Sequence, residues 1–535
     1  MEVDLKLRWE ILLIGLILVA AFGLRMYKLG KNELWLDEAY CTLTAKKGPV
    51  GIVQELRTDN TPPLYYLLLY LWMKVAGEDE VALRSLSVAF GVAAVFLIYC
   101  LGRKNFSPKV GLWAGLILAI SPLHIYYSQE TRMYAPLVFF LILFFHFLLR
   151  LLWESRASNW AGLIISGILA LYTSYAAFFF LPVASVFFVL RPKRKEQIKM
   201  LVSLLIIGAF FLPWVPILLS QPSAQATTWL GAYWEKGKWL MLPRSFEAIF
   251  LGANYPPYLR SLPHGTAKLL RIATLIPVGL IFCSSVFPWR KERTGSERKG
   301  ILFLLLAALF LPLVLAFLLS FWRPMFVVGR HDLIVVPVAA LLLGMGLAKL
   351  GRFWALGLTC LVIYFTWATL KTNYGSRPEF YEKAAAVYIL QNSRAEDAVV
   401  FTGYRRAPLE YYLGLFGELR GARLRYYSFP PSVARHLGWY DKAGLLQEEE
   451  KLKSDARRLA HLVLEEISPG SKVWIAQSKQ RDIRERINRY FAGEMQRLAQ
   501  EEAFEELRDL NYPDLGLRCF QRLERESGTR NSSLR

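Results

Sequence analysis

The sequence predicts a polytopic α-helical membrane protein with a C-terminal extracytoplasmic α/β domain, and three observations carry that reading. Apolar runs near membrane-spanning length recur from Ile11 to Leu370 between short polar loops, where a soluble core helix would carry a polar face. Basic residues gather in alternate loops, the asymmetry that orients membrane proteins. After Lys371 the pattern turns to short strand-like runs separated by helical stretches.

Charge and cysteine content exclude several classes. The net charge of +21 would suit a nucleic-acid partner if it lay in the soluble part. Residues 372–535 carry 27 Lys/Arg against 24 Asp/Glu, however, and residues 1–371 carry 37 against 19. The excess therefore belongs to membrane topology and anionic headgroups, and no nucleic acid is expected. Cys41, Cys100, Cys283, Cys360 and Cys519 are scattered without metal-ligand spacing, so neither a disulfide framework nor a zinc site is expected. The first apolar run lacks a small-residue cleavage pattern and is read as a retained span.

In chain order, crossings are expected near 10–27, 81–102, 108–125, 133–152, 158–172, 176–190, 200–219, 267–287, 301–320, 332–350 and 353–371. Eleven crossings that start inside end outside. The clusters Arg103/Lys104/Lys109, Arg150/Arg156, Arg191/Lys193/Arg194/Lys195/Lys199, Arg290/Lys291/Arg293/Arg298/Lys299 and Lys349/Arg352 then all fall on the inner side. This places the N-terminus in the cytoplasm of a multi-pass cell or inner-membrane protein and the C-terminal domain outside. The run 64–77 is about half a spanning length and follows Pro62-Pro63, so it is read as an interfacial or re-entrant helix of the first outer loop.

The expected domains are thus a transmembrane domain, 1–371, with a catalytic outer loop 28–80 and a second outer loop 221–266, and a soluble α/β domain, 372–535. The second loop carries Trp229, Tyr233, Trp234, Trp239, Tyr255 and Tyr258, aromatics that anchor at interfaces or stack on sugars. In the soluble domain, strands are expected at 398–401, 423–429, 472–476 and 517–523 and helices at 443–466 and 481–509. It has no Gly-rich phosphate loop.

The polar groups that interrupt the apolar pattern collect, in this topology, at the outer surface: Asp37 and Glu38, Asp59 and Asn60, Arg84, the stretch His124–Tyr134, and Arg330-His331-Asp332. Ionisable groups at membrane depth are costly and mark functional sites. Adjacent carboxylates with several arginines suit a reaction in which a hydroxyl loses its proton while an anionic leaving group is held. Duller roles exist for each. Asp37 and Glu38 could cap the helix that follows, the arginines could be snorkelling anchors, and His124 could simply bond backbone carbonyls.

Four motifs in fixed order carry a resemblance: Trp-Leu-Asp-Glu-Ala-Tyr at 35–40, Thr-Pro-Pro-Leu-Tyr-Tyr at 61–66, Leu-Arg-Ser-Leu-Ser-Val at 83–88, and the run from Ser121 to Ala135. Together they resemble the protein O-mannosyltransferase and aminoarabinose-transferase superfamily of C-type (GT-C) glycosyltransferases, which use polyprenyl-phosphate sugars. The match is closest over residues 30–140. The resemblance implies that Asp37 is the general base, that Glu38 orients it or the acceptor, and that Arg84, Arg132 and Arg330, assisted by Tyr134, hold the donor phosphate. It also implies substrate contacts at Asn60, Tyr65 and His331. Two departures stand out. Asn60-Thr61 replaces the His or Glu-Lys pair that many relatives carry before the double proline, and His331 replaces the usual tyrosine. The cofactor is left open: a divalent metal at Asp59 is one alternative, and nothing points to an organic cofactor.

The expected function is therefore an inverting, polyprenyl-phosphate-sugar-dependent hexosyl- or pentosyltransferase of the cell envelope. Its acceptor on the outer face is a protein, a glycolipid or a polysaccharide. A flippase or transporter of lipid-linked sugars is the alternative, and it would need polar residues along a path through the membrane rather than at one face.

Overall fold

The computed structural model describes residues 2–221, 228–252, 264–286, 295–375, 380–402, 406–418, 423–431, 448–478, 483–501, 503–513 and 515–523. Tyr255, Pro256, Pro257, Tyr258, Arg290, Lys291 and Arg293 lie outside them. Helices follow in chain order as α1 (Glu2–Met26), α2 (Leu36–Lys46), α3 (Gly48–Glu55), α4 (Leu64–Ala76), α5 (Glu80–Asn105), α6 (Pro108–Ile120), α7 (Pro122–Ser128), α8 (Tyr134–Leu151) and α9 (Ala157–Thr173). Next come α10 (Ala177–Phe180), α11 (Val186–Leu190), α12 (Arg194–Phe211), α13 (Val215–Ser220), α14 (Thr228–Gly237), α15 (Met241–Leu251), α16 (His264–Val286), α17 (Gly295–Trp322), α18 (Val336–Lys349) and α19 (Arg352–Gly375). Two compact units result, one of Met1–Lys31 with Gly48–Arg377, the other of Asn32–Lys47 with Pro378–Arg535. The segment 32–47, expected within the membrane part, groups with the C-terminal residues.

The first unit is a helical membrane domain. Among the described residues seven stretches are long and apolar enough to cross a membrane: Leu5–Met26, Glu80–Asn105, Tyr134–Leu151, Arg194–Ser220, Lys299–Trp322, Asp332–Lys349 and Arg352–Gly375. The expected crossing 108–125 is broken. α6 and α7 meet at Ser121 with a bend of 62°, and they add an eighth span only if counted as one. Pro122 removes the N–H that would continue the helix, and the Ser121 hydroxyl accepts the His124 N–H to cap the new one. Of the remaining three expected crossings, two correspond to shorter apolar helices, Ala157–Thr173 and Ala177–Leu190, and the third to α16, which is 23 residues long and apolar over Leu275–Val286. Among the described residues, length and composition alone thus identify seven spans, or eight with the bent pair. The interfacial helix is α4, 13 residues long and ended by Gly77 at φ +96°.

On α5, α8 and α18 a basic residue stands at the C-terminal end, and Arg84, Arg132 and Arg330 stand at or just before the N-terminal end. Arg103 closes α5 and pairs with Glu10 of α1 at 2.6 Å. Arg150, at the end of α8, pairs with Glu154, and Lys349 donates to the last carbonyls of α16, Ser284 and Ser285. Cations there favour the negative helix end. Arg84 stands 19 residues before Arg103 on α5, about 28 Å at the helical rise of 1.5 Å per residue, close to a hydrocarbon thickness.

The second unit is built on a five-stranded mixed sheet. Its strands are β1 (Ala398–Thr402), β2 (Arg425–Phe429), β3 (Lys472–Ser478), β4 (Phe504–Asn511) and β5 (Leu515–Arg522), in the order β2-β1-β3-β5-β4. β1 runs parallel to β2 and β3, whereas β5 is antiparallel to β3 and β4. Four strands lie where the sequence predicts them. β4 is the correction, because the helix expected over 481–509 ends at Gln500. The exposed charged residues Glu505, Glu506, Arg508 and Asp509 fit an edge strand, where charges discourage further pairing.

Helices α20 (Glu382–Asn392), α21 (Arg406–Glu418), α22 (Glu449–Glu466) and α23 (Ile483–Gln500) flank the sheet. Val400, Val473 and Ile475 share a core with Leu452, Ala456 and Val463 of α22 and with Ile487, Phe491 and Met495 of α23. On the α20 side Trp474 meets Tyr388 edge-on at 5.8 Å and donates its indole N–H to Ser393 Oγ at 2.8 Å. α2 packs against α21.

Candidate active site

The expected site residues divide between the two units. Asp37 and Glu38 occupy the first turn of α2 in the second unit, where backbone N–H groups favour negative charge. Neither is the capping residue. Trp35 holds that position in an extended conformation without a side-chain cap bond. Glu38 is fully buried, Asp37 is half-buried, and Thr42 Oγ1 donates to the Glu38 carbonyl at 3.0 Å, so the turn is fixed from within.

The remaining residues lie in the first unit. α5 begins at a strong cap, with Asp79 Oδ1 accepting the Val81 and Ala82 N–H groups, both at 2.9 Å. One turn later comes Arg84, fully buried, donating Nη1 to the Leu29 carbonyl at 2.7 Å. Ser87, three residues on and on the same face, donates to the Arg132 carbonyl at 3.3 Å and lies 3.4 Å from the Tyr65 hydroxyl. Arg132 is buried, with its guanidinium 5.9 Å from the Tyr134 ring centroid. Tyr134 in turn lies 4.4 Å from the Tyr127 ring, whose hydroxyl is within electrostatic reach of Arg330 and Glu130. Arg132 and Tyr134 therefore stand beside Ser87, one helical turn from Arg84, and Tyr127 links Tyr134 to the electrostatic reach of Arg330.

Asp59 and Asn60 stand in the turn before α4. Asp59 Oδ2 accepts from Thr61 Oγ1 at 2.6 Å and from the Tyr66 hydroxyl at 3.2 Å. Among the described residues no three His, Cys, Asp or Glu side chains come together to hold a metal ion. Asp59 is already engaged by two hydroxyls, and this setting does not fit a metal site. Tyr65 and Tyr66 are fully buried, so they pack inward rather than anchoring at a bilayer surface. Trp72 donates to the Ala82 carbonyl and to Ser85 Oγ, both at 3.0 Å, and ties α4 to α5.

Arg330 and His331 belong to a tight turn before α18. Gly329 adopts φ +87°, and its N–H donates to Asp332 Oδ2 at 2.5 Å. His331 Nδ1 accepts the Val327 N–H at 3.0 Å, while its ring stacks on Phe326 at 5.7 Å and meets Phe179 edge-on. Burial lowers its pKa to about 4, so the imidazole is neutral near pH 7. His331 thus holds the turn that presents Arg330.

Sequence reasoning gave no separate role to Ser87, Tyr127, Tyr175 or Gln221. Gln221 joins the Tyr175 hydroxyl, 2.8 Å away, to the Leu56 carbonyl, 2.7 Å away, and so supports the Asp59 turn. Ser87 stands within the Leu-Arg-Ser-Leu-Ser-Val motif, three residues after Arg84, and that helical spacing was the available signal.

Comparison with known proteins agrees with this architecture. Residues 60–218 match the family model for dolichyl-phosphate-mannose-protein mannosyltransferase. An uncharacterised protein of Aquifex aeolicus (strain VF5) is 31% identical over 203 residues, which span 34% of this chain and 39% of that protein's length. Among solved structures, ArnT from Cupriavidus metallidurans bound to undecaprenyl phosphate is similar over 96% of this chain and 98% of its own, with a TM-score of 0.58 and 12% identity. Its apo form gives 0.59 at 11% identity over the same shares. The Archaeoglobus fulgidus oligosaccharyltransferase in complex with zinc and sulfate gives 0.51 at 14% identity, over 94% of this chain and 72% of its own. The chain has the C-type glycosyltransferase fold: a multi-pass helical membrane domain followed by a small mixed-sheet domain.

Proposed function

We propose that this protein transfers a sugar, with inversion, from a polyprenyl-phosphate-linked donor to an acceptor on the outer face of the membrane. The observation that carries the reading is the grouping of Arg132 and Tyr134 beside Ser87, one helical turn from Arg84, with Tyr127 linking Tyr134 to Arg330. Ionisable groups at membrane depth are costly and mark functional sites, and guanidinium groups bind phosphate oxygens in a two-pronged way. A lipid-linked phosphate at headgroup depth, its tail in hydrocarbon, presents such oxygens. ArnT, whose fold this chain shares, is a structure bound to undecaprenyl phosphate.

In this reading Asp37 removes the proton of the acceptor hydroxyl or amine as that atom attacks the anomeric carbon. The bond from that carbon to the phosphate oxygen breaks, and the electron pair leaves with the polyprenyl phosphate. The arginines stabilise the charge that grows on the leaving phosphate, with Tyr134 assisting by hydrogen bonding. Glu38 orients Asp37 or the acceptor. Asn60 contacts substrate directly, whereas the bonds of Tyr65 to Ser87 and of His331 to Val327 suit contacts made by their remaining edges. The basic helix ends support a cytoplasmic N-terminus and an extracytoplasmic C-terminal domain.

The test is transfer by purified protein from radiolabelled mannosyl and aminoarabinosyl undecaprenyl phosphates, comparing wild type with Asp37→Asn. Loss of a general base predicts a fall of at least about 100-fold, with undecaprenyl phosphate binding retained. Full activity in the variant would sink the assignment of Asp37.

A further inference from the structure

The segment that carries Asp37 and Glu38 is built into the C-terminal unit by bonds at its entrance. The Leu34 N–H, three residues before Asp37, donates to the Tyr412 hydroxyl of α21 at 2.9 Å. One residue earlier, Glu33 Oε2 accepts the Lys383 N–H at 2.9 Å. Lys383 lies in the first turn of α20, whose capping residue, Tyr381, makes no side-chain cap bond. Glu33 therefore supplies from 350 positions away the anion that a helix start ordinarily takes from its own cap.

Tyr412 is itself held firmly. Its ring is fully buried, stacks on Phe416 at 6.0 Å, meets Tyr411 edge-on at 4.8 Å, and has the Lys383 ammonium 5.7 Å from its centroid. α2 then packs along α21. A phenol locked on three sides, with its hydroxyl on a backbone N–H just before a helix, fixes where that helix begins.

We infer that the C-terminal domain is a positioning domain for the carboxylate segment, with Tyr412 and Glu33 as the positioning residues that set the register of α2 and hence the placement of Asp37 and Glu38. The inference rests on the sugar-transfer reading for its effect on turnover, while the anchoring itself stands on the contacts above. It gives the domain a role that needs no ligand of its own.

The experiment uses the full-length protein in detergent. Tyr412→Phe removes only the hydroxyl and leaves the ring packing, and Glu33→Ala removes the second anchor. Ser393→Ala, which deletes the bond to Trp474 on the same side of the sheet, is the control for general weakening of the domain. The expected result is faster amide exchange over Leu34–Tyr40 in Tyr412→Phe and a kcat lowered about tenfold, the scale of one hydrogen bond. The KM for mannosyl or aminoarabinosyl undecaprenyl phosphate stays within about twofold, because the arginines that hold the phosphate are in the other unit. Glu33→Ala follows the same pattern, and Ser393→Ala keeps kcat. Unchanged exchange over Leu34–Tyr40 in both anchor variants, or an unchanged kcat, overturns the inference, as does an equal kcat loss in Ser393→Ala. A wild type that transfers neither sugar overturns the sugar-transfer reading instead, and the exchange result still decides the anchoring.

Discussion

Arg25 Nη2 lies 2.7 Å from His124 Nδ1, joining the end of α1 to the start of α7 across 99 positions. The guanidinium has no acceptor capacity, so Nδ1 accepts and the imidazole proton sits on Nε2. The same fully buried side chain donates to the carbonyls of Leu118 at 3.3 Å, Ala119 at 3.1 Å and Ala21 at 2.9 Å. Leu118 and Ala119 end α6, where the break at Ser121 leaves carbonyls without helical partners. Arg25 supplies the donors that the bend removes.

Arg25→Leu is therefore expected to strand several buried acceptors and to cost about 3 kcal/mol or more. Thermal unfolding in detergent checks this. Arg25→Lys keeps the charge but not the planar fork, and should recover only part of the loss. A melting temperature unchanged in Arg25→Leu would mean that the bend holds without it.

Arg84 and Arg330 should separate binding from stability. Arg84 is buried and bonded to the Leu29 carbonyl, so Arg84→Gln should lower both the melting temperature and the affinity for undecaprenyl phosphate. Arg330 is half-buried, and Arg330→Gln should weaken that affinity about tenfold, the scale of a lost charge-assisted bond, with little change in melting. Equal affinities for wild type and both variants would remove the phosphate role.

Glu38→Gln preserves shape at a fully buried position while removing the charge. If Glu38 orients the base or the acceptor, transfer should fall about tenfold, less than in Asp37→Asn, with undecaprenyl phosphate affinity unchanged. Steady-state kinetics of the two variants side by side decide the order. A larger loss in Glu38→Gln would exchange their roles.

His331 gives a pH dependence of stability. Its folded pKa, about 4, lies below the unfolded value of about 6.5, so the unfolded chain binds the extra proton between those values. Its contribution to stability is complete above about pH 6.5 and fades as pH falls toward about 4. His331→Asn keeps an acceptor for the Val327 N–H and does not titrate, so its melting temperature should fall less than that of wild type between pH 7 and 5. Parallel curves would show that His331 is not the titrating group.

Much of this architecture was legible from residue order. The apolar runs, the alternating basic loops and the strands at 398–402, 425–429, 472–478 and 515–522 follow from local pattern. β4 was hidden because half of the side chains in 504–511 are charged, and only pairing with β5 makes it a strand. The break in the 108–125 run had a signal in Ser121-Pro122. The partner that satisfies it, Arg25, had none, because an arginine at the end of a span reads as a snorkelling anchor.

The sequence by itself determined that this chain lives in a membrane and where its arginines and carboxylates stand along it. Transfer of an apolar run into hydrocarbon is a sum over neighbouring residues, and helical spacing fixes which of them share a face. Only the tertiary structure decided that Asn32–Lys47 folds with Pro378–Arg535, that Glu33 caps a helix 350 positions away and that Tyr412 sets the start of α2. Those contacts depend on the shape of packed surfaces and on which polar groups burial leaves in need of a partner, and neither is a property of any local stretch of chain.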